Sequence, residues 1–299
     1  MFDNFFAKSL SFRIVIGFIS AVLLSFLLFY ILYAVAPTDN GLNGFQLLSR
    51  DVLDNNERIC VLYVLSVETI CIFLIPALIL LWAIFRHPAK ALYSQNSTAP
   101  ILRKTPLIIA IVSIIIANIP GINLLSDINT QTILSVIGKD SPQWQNYLKA
   151  ESLVENLMSN DLMIVNIICM AIIPAVCEEF FFRGFMQTIA TNVFKNKHIA
   201  VVVTSIIFSI LHGDIFNFIP RFVLGLFLGY LFLYTKNIWY PIIAHTLHNT
   251  MVVFCNTLPD LPEEFDTIGT IGNGLIMGIA SVLLLIFVIY FLITRVKED

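Results

Sequence analysis

Long apolar runs constrain this chain more than any other feature. They cover about Ile14 to Ala36, Cys60 to Phe85, Pro106 to Leu125, Leu162 to Phe194, Ile199 to Leu211, Phe222 to Thr235, Ile238 to Cys255 and Leu275 to Thr294. A helix of about 20 such residues crosses the hydrocarbon core of a bilayer, and only helices and closed barrels satisfy every backbone polar group there. Hydrophobic residues make up 58% of the 299 residues and charged residues 12%, with a mean hydropathy of +0.87, whereas soluble domains carry about 25% charge. The expected fold is therefore all-α, a polytopic bundle of about eight transmembrane helices. The first run ends at Ala34-Val35-Ala36, which invites a signal-peptide reading. It is longer than the roughly 7–15 residues of a signal core, and Pro37 is unsuited to cleavage, so we expect a retained helix.

A net charge of −3 with no Lys/Arg-rich tract argues against nucleic acid as a partner. Cys60, Cys71, Cys169, Cys177 and Cys255 are odd in number and show no CxxC spacing, which suits small buried hydrophobes better than disulfides or a thiolate metal site. Lys8, Arg13, Arg86, Lys90, Arg103, Lys104, Lys195, Lys197, Lys236, Arg295 and Lys297 fall on one side of the expected bundle. The other side holds Arg50, Arg58, Lys139, Lys149 and Arg221 with most of the acids. The positive-inside rule then sets both termini in the cytoplasm. The stretch from Ser126 to Asn160 is polar, and Trp144, Tyr147, Leu148, Leu153, Val154 and Leu157 are fit to form the apolar side of an interfacial or small surface helix.

Ionisable groups inside apolar runs are costly and usually functional. Glu178-Glu179-Phe180-Phe181-Phe182-Arg183 is the densest case. Glu179 and Arg183, at i and i+4, pair on one helical face, which leaves Glu178 without a local cation and free for chemistry. Phe208 and His212 share a face of the next run, as do His245 and Asn249 of a later one. His248 points away from His245 and fits packing better. Glu68 interrupts the second span without a motif around it. Counting from the turn at Lys195 and Lys197, Glu178 and His212 reach a similar depth of about 22–26 Å, while His245 lies only about 14 Å beyond Lys236. It joins them only if its helix is tilted or begins deeper in the bundle. A free carboxylate beside a neutral imidazole can take a proton from water and return it to a leaving amine. A second imidazole with an amide can stabilise an oxyanion or, with the first histidine and a glutamate, bind a metal.

Glu178-Glu179-x-x-x-Arg183, Phe208-x-x-x-His212 and His245-x-x-x-Asn249, in this order on successive helices, resemble the three signatures of the CPBP family. Its members are type II CAAX prenyl endopeptidases and the Abi proteins of bacteriocin processing and immunity. The resemblance implies a catalytic core over residues 161–256. Residues 1–160 supply helices and loops without a recognised motif, and 257–299 a loop and the last helix. It implies an intramembrane endopeptidase in which Glu178 and His212 activate water, His245 and Asn249 stabilise the oxyanion, and Glu179, Arg183 and Phe208 support the site. The substrate is a membrane-associated peptide or protein, in CAAX-like processing, in bacteriocin or pheromone maturation, or in immunity, cleaved near the cytoplasmic side or within the bilayer. The expected cofactor is none or a divalent metal such as zinc, held by Glu178, His212 and His245. The expected location is the plasma membrane, with the lipid bilayer as the other partner. A non-catalytic immunity or scaffold protein is the alternative, and a proton-coupled transporter a more distant one.

Overall fold

A computed structural model describes residues 2–39, 41–48, 50, 52–84, 92, 111, 114–158, 160–257 and 267–295. The basic loop of Arg86, His87, Lys90, Arg103 and Lys104, the acidic loop of Asp260, Glu263, Glu264 and Asp266, and most of the third expected span before residue 114 lie outside the described residues. Nine long helices occur among the described residues. They are α1 (Phe2–Ala34), α2 (Asn55–Ile84), α3 (Ile119–Ile137), α4 (Pro142–Leu157), α5 (Met163–Phe194), α6 (Lys197–Leu211), α7 (Phe218–Thr235), α8 (Trp239–Thr257) and α9 (Leu275–Arg295). A two-residue antiparallel hairpin, Thr38–Asp39 with Leu42–Asn43, follows α1.

The protein is an all-α, multi-pass membrane bundle, but the expected count of eight spans is not met among the described residues. Four helices are both long and apolar enough to cross: α2, α5, α7 and α9. Helix α6 has only 15 residues. Helix α8 has 19 but spends them on His245, Thr246, His248, Asn249 and Thr250, polar groups that lower its apolar character to serve the interior. Helix α3 does not end at Leu125 as expected; it runs on to Ile137 through Asp127, Asn129 and Thr130. Asn129 there donates to the carbonyls of Ile215 and Phe216, so tertiary bonds carry the helix beyond its apolar stretch.

Local signals set the ends. Asp54 caps α2 and forms a capping box with Glu57, and Ser141 caps α4 with Pro142 in its first turn. Asn196 accepts from the amides of His198 and Ile199 to start α6. Helices α5 and α7 each close on a left-handed lysine, Lys195 at φ 52° and Lys236 at φ 50°, a conformation usually left to glycine.

Helix α7 lies at the centre, its Phe227, Leu228, Tyr230 and Leu231 buried against Ile111, Ile115, Val201, Ala244, Leu285 and Leu292. Apolar burial inside lipid gives no hydrophobic driving force, so close packing and interhelical hydrogen bonds must hold such a bundle. Gly225 and Gly229 supply both. A Cβ on Gly225 would lie 3.0 Å from Ser205, and one on Gly229 2.8 Å from Val201 of α6. The bared carbonyls accept bonds from α5: Arg183 donates to Gly225 O at 3.1 Å and Gln187 to Gly229 O at 3.0 Å. The small-xxx-small spacing thus brings α6 close on one side and receives α5 on the other.

Candidate active site

Helix α5 carries the two glutamates between wide π-helical turns, Ile167–Ile172 before them and Phe180–Gln187 after them. Such turns re-aim side chains and recur at functional sites. Glu179 is fully buried, at 0% exposure, and its Oε1 accepts two charge-assisted bonds, from Arg183 Nη1 at 2.8 Å and from His245 Nδ1 at 2.8 Å. The Arg183 guanidinium lies 4.8 Å from the centre of the Phe208 ring, so a π face covers a cation that lipid would not tolerate. That ring also meets His212 at 4.7 Å and His245 at 5.9 Å. Phe208 is therefore the wall against which both imidazoles are packed.

Glu178 sits next along the helix, 8% exposed, and its Oε2 has no protein hydrogen-bond partner. Two imidazole nitrogens face that oxygen, His212 Nε2 at 3.8 Å and His245 Nε2 at 3.9 Å. The opposite nitrogens fix the tautomers. His212 Nδ1 lies 2.7 Å from the carbonyl of Phe208, which can only accept, and His245 Nδ1 faces the Glu179 carboxylate. Each Nδ1 thus carries a proton. The neutral imidazole of His212 turns a lone pair towards Glu178 across a gap too long for a direct hydrogen bond, and a water that bridged the two would sit beside the line joining them and donate a hydrogen to each.

His245 reaches this level because the start of α8 packs against the middle of α5. Ile238 and Ile242 at the start of α8 pack with Phe232 against Val176 and Phe180. The depth mismatch expected from Lys236 is absorbed there.

Glu178, His212, His245 and Asn249 line one cavity of about 660 Å³, together with Phe208 and His248. His248 therefore does not turn away from the site, as its angular offset from His245 suggested. Glu68 is half-buried on α2 and is not among the residues lining this cavity. The cavity continues outwards into a cleft of about 690 Å³ under α4, lined by Tyr147, Glu151, His212, Asp214 and Arg221. Tyr147, Glu151, Asp214 and Arg221 were not singled out as site residues in the sequence. The signal was present in Tyr147 and Glu151, a hydroxyl and a carboxylate at i and i+4, and their side chains are in fact hydrogen-bonded. Trp144 and Tyr147 stack on each other, and Phe216 meets Trp144 edge-on at a centroid distance of 5.1 Å and Tyr147 at a tilt at 4.8 Å. Asp214 pairs with Arg221 at 2.9 Å and accepts from Asn217 at 3.0 Å. Burial pushes the Tyr147 hydroxyl above its usual range, with the Glu151 carboxylate adding to the effect. Burial also raises Glu151, assisted by Glu155 and Asp214, while the Tyr147 hydroxyl works the other way.

The donor chemistry of Glu178, His212 and His245 suits a divalent metal, since both imidazoles have Nδ1 anchored on an oxygen as ligating histidines usually do. The spacing does not. These three do not bring their donor atoms within 4.8 Å of one another as a set; among the described residues only Asp39, Asp54 and Glu57 do so. A zinc ion holds its ligands at about 2.0–2.2 Å, which the set as placed is too open to meet.

Residues 160–251 match the family model of the Rce1-like type II CAAX prenyl endopeptidases. This stretch, about a third of the chain, is similar to the CAAX proteases. It is similar to the putative membrane peptidase YdiL of Bacillus subtilis, 33% identical over 93 residues, or 31% of this chain and 38% of that one. The membrane-embedded CAAX protease MroQ of Staphylococcus aureus is 35% identical over 94 residues, covering 29% of this chain and 38% of MroQ. An uncharacterized protein of Mycoplasma capricolum is 31% identical over 155 residues, covering 50% of this chain and 44% of that protein. The matches thus span about two fifths of the length of these relatives. No solved structure matches at a comparable level. The matched stretch coincides with the helices that carry the buried glutamates and both imidazoles.

Proposed function

We propose that this protein is an intramembrane endopeptidase that hydrolyses a peptide bond of a membrane-associated peptide or protein by a glutamate-activated water. The observation that carries the reading is the Glu178 carboxylate oxygen, buried and unpartnered, facing the Nε2 atoms of two histidines at 3.8 and 3.9 Å on a cavity floor. A water held between Glu178 and His212 loses a proton to one of them as its oxygen bonds to the scissile carbonyl carbon. The tetrahedral oxyanion accepts a hydrogen bond from the Asn249 amide, and a second from His245 when its Nε2 is also protonated. Collapse breaks the carbon–nitrogen bond, and the stored proton goes to the leaving amine. Glu179 and Arg183 take no part in these transfers; they hold His245 in orientation.

The mouth of the cleft is built from α4, the 212–217 connection and the ends of α7 and α8 remote from Lys195 and Lys236. With both termini inside, as the charge bias implies, this mouth opens away from the cytoplasm. That moves cleavage from the cytoplasmic side to the opposite half of the bilayer, in the plasma membrane for a cell with one membrane. CAAX-like, pheromone and bacteriocin precursors all remain within this substrate class.

The test is cleavage of a quenched fluorescent peptide library by the purified full-length protein, compared with Glu178→Gln and His212→Ala. Both variants are expected to lose turnover while keeping the thermal midpoint. Undiminished turnover in both would overturn the assignment.

A further inference from the structure

A second cavity, of about 330 Å³, lies between α3 and α8. Ile115 and Ile119 form one wall, Met251 and Cys255 the other. It joins the catalytic cavity directly, since Ile122, Asn123, His248 and Val252 line both. The opening exists because α3 is drawn elsewhere. A Cβ on Gly121 would lie 2.6 Å from Ser281 Oγ, and one on Gly278 3.1 Å from Leu124, so α3 seats closely on α9. Ser281 donates to Ala117 O at 2.7 Å, and Asn123 to Ile268 O at 3.2 Å, which pins α3 in that position. A gap lined by apolar side chains is left facing α8.

We infer that this side cavity is a specificity subsite, which receives a large apolar side chain of the substrate next to the scissile bond while His248 hydrogen-bonds the passing peptide backbone at its neck. The inference rests on the peptidase reading above. Several features favour a substrate side chain over a lipid acyl chain. The cavity shares four lining residues with the catalytic cavity, so a peptide bound over Glu178 has a neighbouring residue within reach of it. The polar Glu155 and Asn256 stand at its outer edge, where an acyl chain would meet unsuitable groups. Two polar side chains stand at the junction, Asn123, which donates to Ile268 O, and His248, which has no part in activating the water. Its imidazole has both a donor and an acceptor to offer a peptide unit.

The test uses two peptides drawn from the library hits, identical except for Leu or Ala at one residue flanking the cleaved bond. Filling the cavity with Cys255→Phe or Ile119→Phe is expected to lower kcat/KM for the Leu peptide roughly tenfold or more, the scale by which apolar pockets discriminate. The Ala peptide should change by less than about twofold, and His248→Ala should raise KM for both with kcat retained. An equal fall for both peptides, or no change for either, overturns the subsite while leaving the peptidase reading intact. A binding readout separates the two failures. In Glu178→Gln protein, alkylation of Cys255 by N-ethylmaleimide, followed by mass spectrometry of the Cys255 peptide, should be slowed by the Leu peptide and not by the Ala peptide. Equal protection by both, protection by neither, or protection by added phospholipid alone overturns the inference whatever the turnover of either peptide.

Discussion

The floor and the roof of the cleft are built on opposite principles. On the floor, Glu179, Arg183 and His245 are at most 3% exposed and tied to one another and to α7 by charge-assisted bonds. The roof, α4, is attached mainly at its ends. Trp144 and Tyr147 rest on Phe216 at one end. At the other, Leu157 is buried and Asn156 accepts bonds from Leu53 N and Arg58. Tyr147 also lines the cavity from its anchor, and between the anchors Glu151 and Val154 overhang it. A carboxylate in a low-dielectric interior has to be held rigidly and kept partnered, whereas a surface over which a peptide passes has to yield. The difference separates an element tied together by buried charge from one held mainly at its ends, and the proposed function gives chemistry to the first and access to the second.

Substitutions on the two elements should therefore separate chemistry from access. The largest effect is expected from Glu178→Gln, with kcat down roughly 10²–10⁴-fold, the range of general acid–base catalysis, and KM unchanged in steady-state kinetics. Arg183→Leu leaves Glu179 buried without its cation, and should cost about 3–5 kcal/mol of stability, seen as a loss of folded protein in detergent melts. Gly225→Val forces a side chain into Ser205 and should cost about 1–3 kcal/mol by overpacking, measurable in the same melts. On the roof, Tyr147→Phe removes a hydroxyl that donates to Glu151 and accepts a long bond from Asn217, together worth about 0.5–1.5 kcal/mol. It should raise KM a few-fold at constant kcat; a fall in kcat comparable to that of Glu178→Gln would make the roof part of the chemistry and break the comparison. The smallest effect concerns Glu151. Its carboxyl is raised in the folded state by burial and by Glu155 and Asp214, so the folded protein holds that proton more tightly than the unfolded chain. The contribution is fully present below the unfolded value and is lost as pH rises through the folded one. Glu151→Gln should therefore flatten the fall in thermal midpoint on going from mildly acidic to neutral pH. The change is small, because the side chain reaches solvent.

Much of the floor was legible in the chain. Three signatures at four-residue helical spacing name Glu178, Glu179, Arg183, His212, His245 and Asn249, and the equal depths of Glu178 and His212 follow from counting residues back to Lys195 and Lys197. The pairing of Glu179 with Arg183 is a local, i to i+4 matter, and the structure has it at 2.8 Å. The roof was read only as a helix with an apolar side, because its partners Phe216 and Asn217 are some 70 residues away and its placement depends on no periodicity. The span count failed for a related reason. Helix α8 gives up apolar character to the site, and α3 is prolonged by bonds from Asn129 to Ile215 and Phe216.

Sequence by itself determined that this chain folds as membrane helices and which few buried polar groups cannot be packing alone, since both follow from the cost of placing charge and bare backbone in hydrocarbon. Tertiary structure decided the rest. That His245 Nδ1 is engaged by Glu179, that His248 faces the cavity, and that α3 leans onto α9 to leave a gap beside α8 depend on how distant helices seat on one another. Glycine contacts and carbonyl bonds set that seating, and a spacing such as Gly225-x-x-x-Gly229 permits close approach without naming the partner helix.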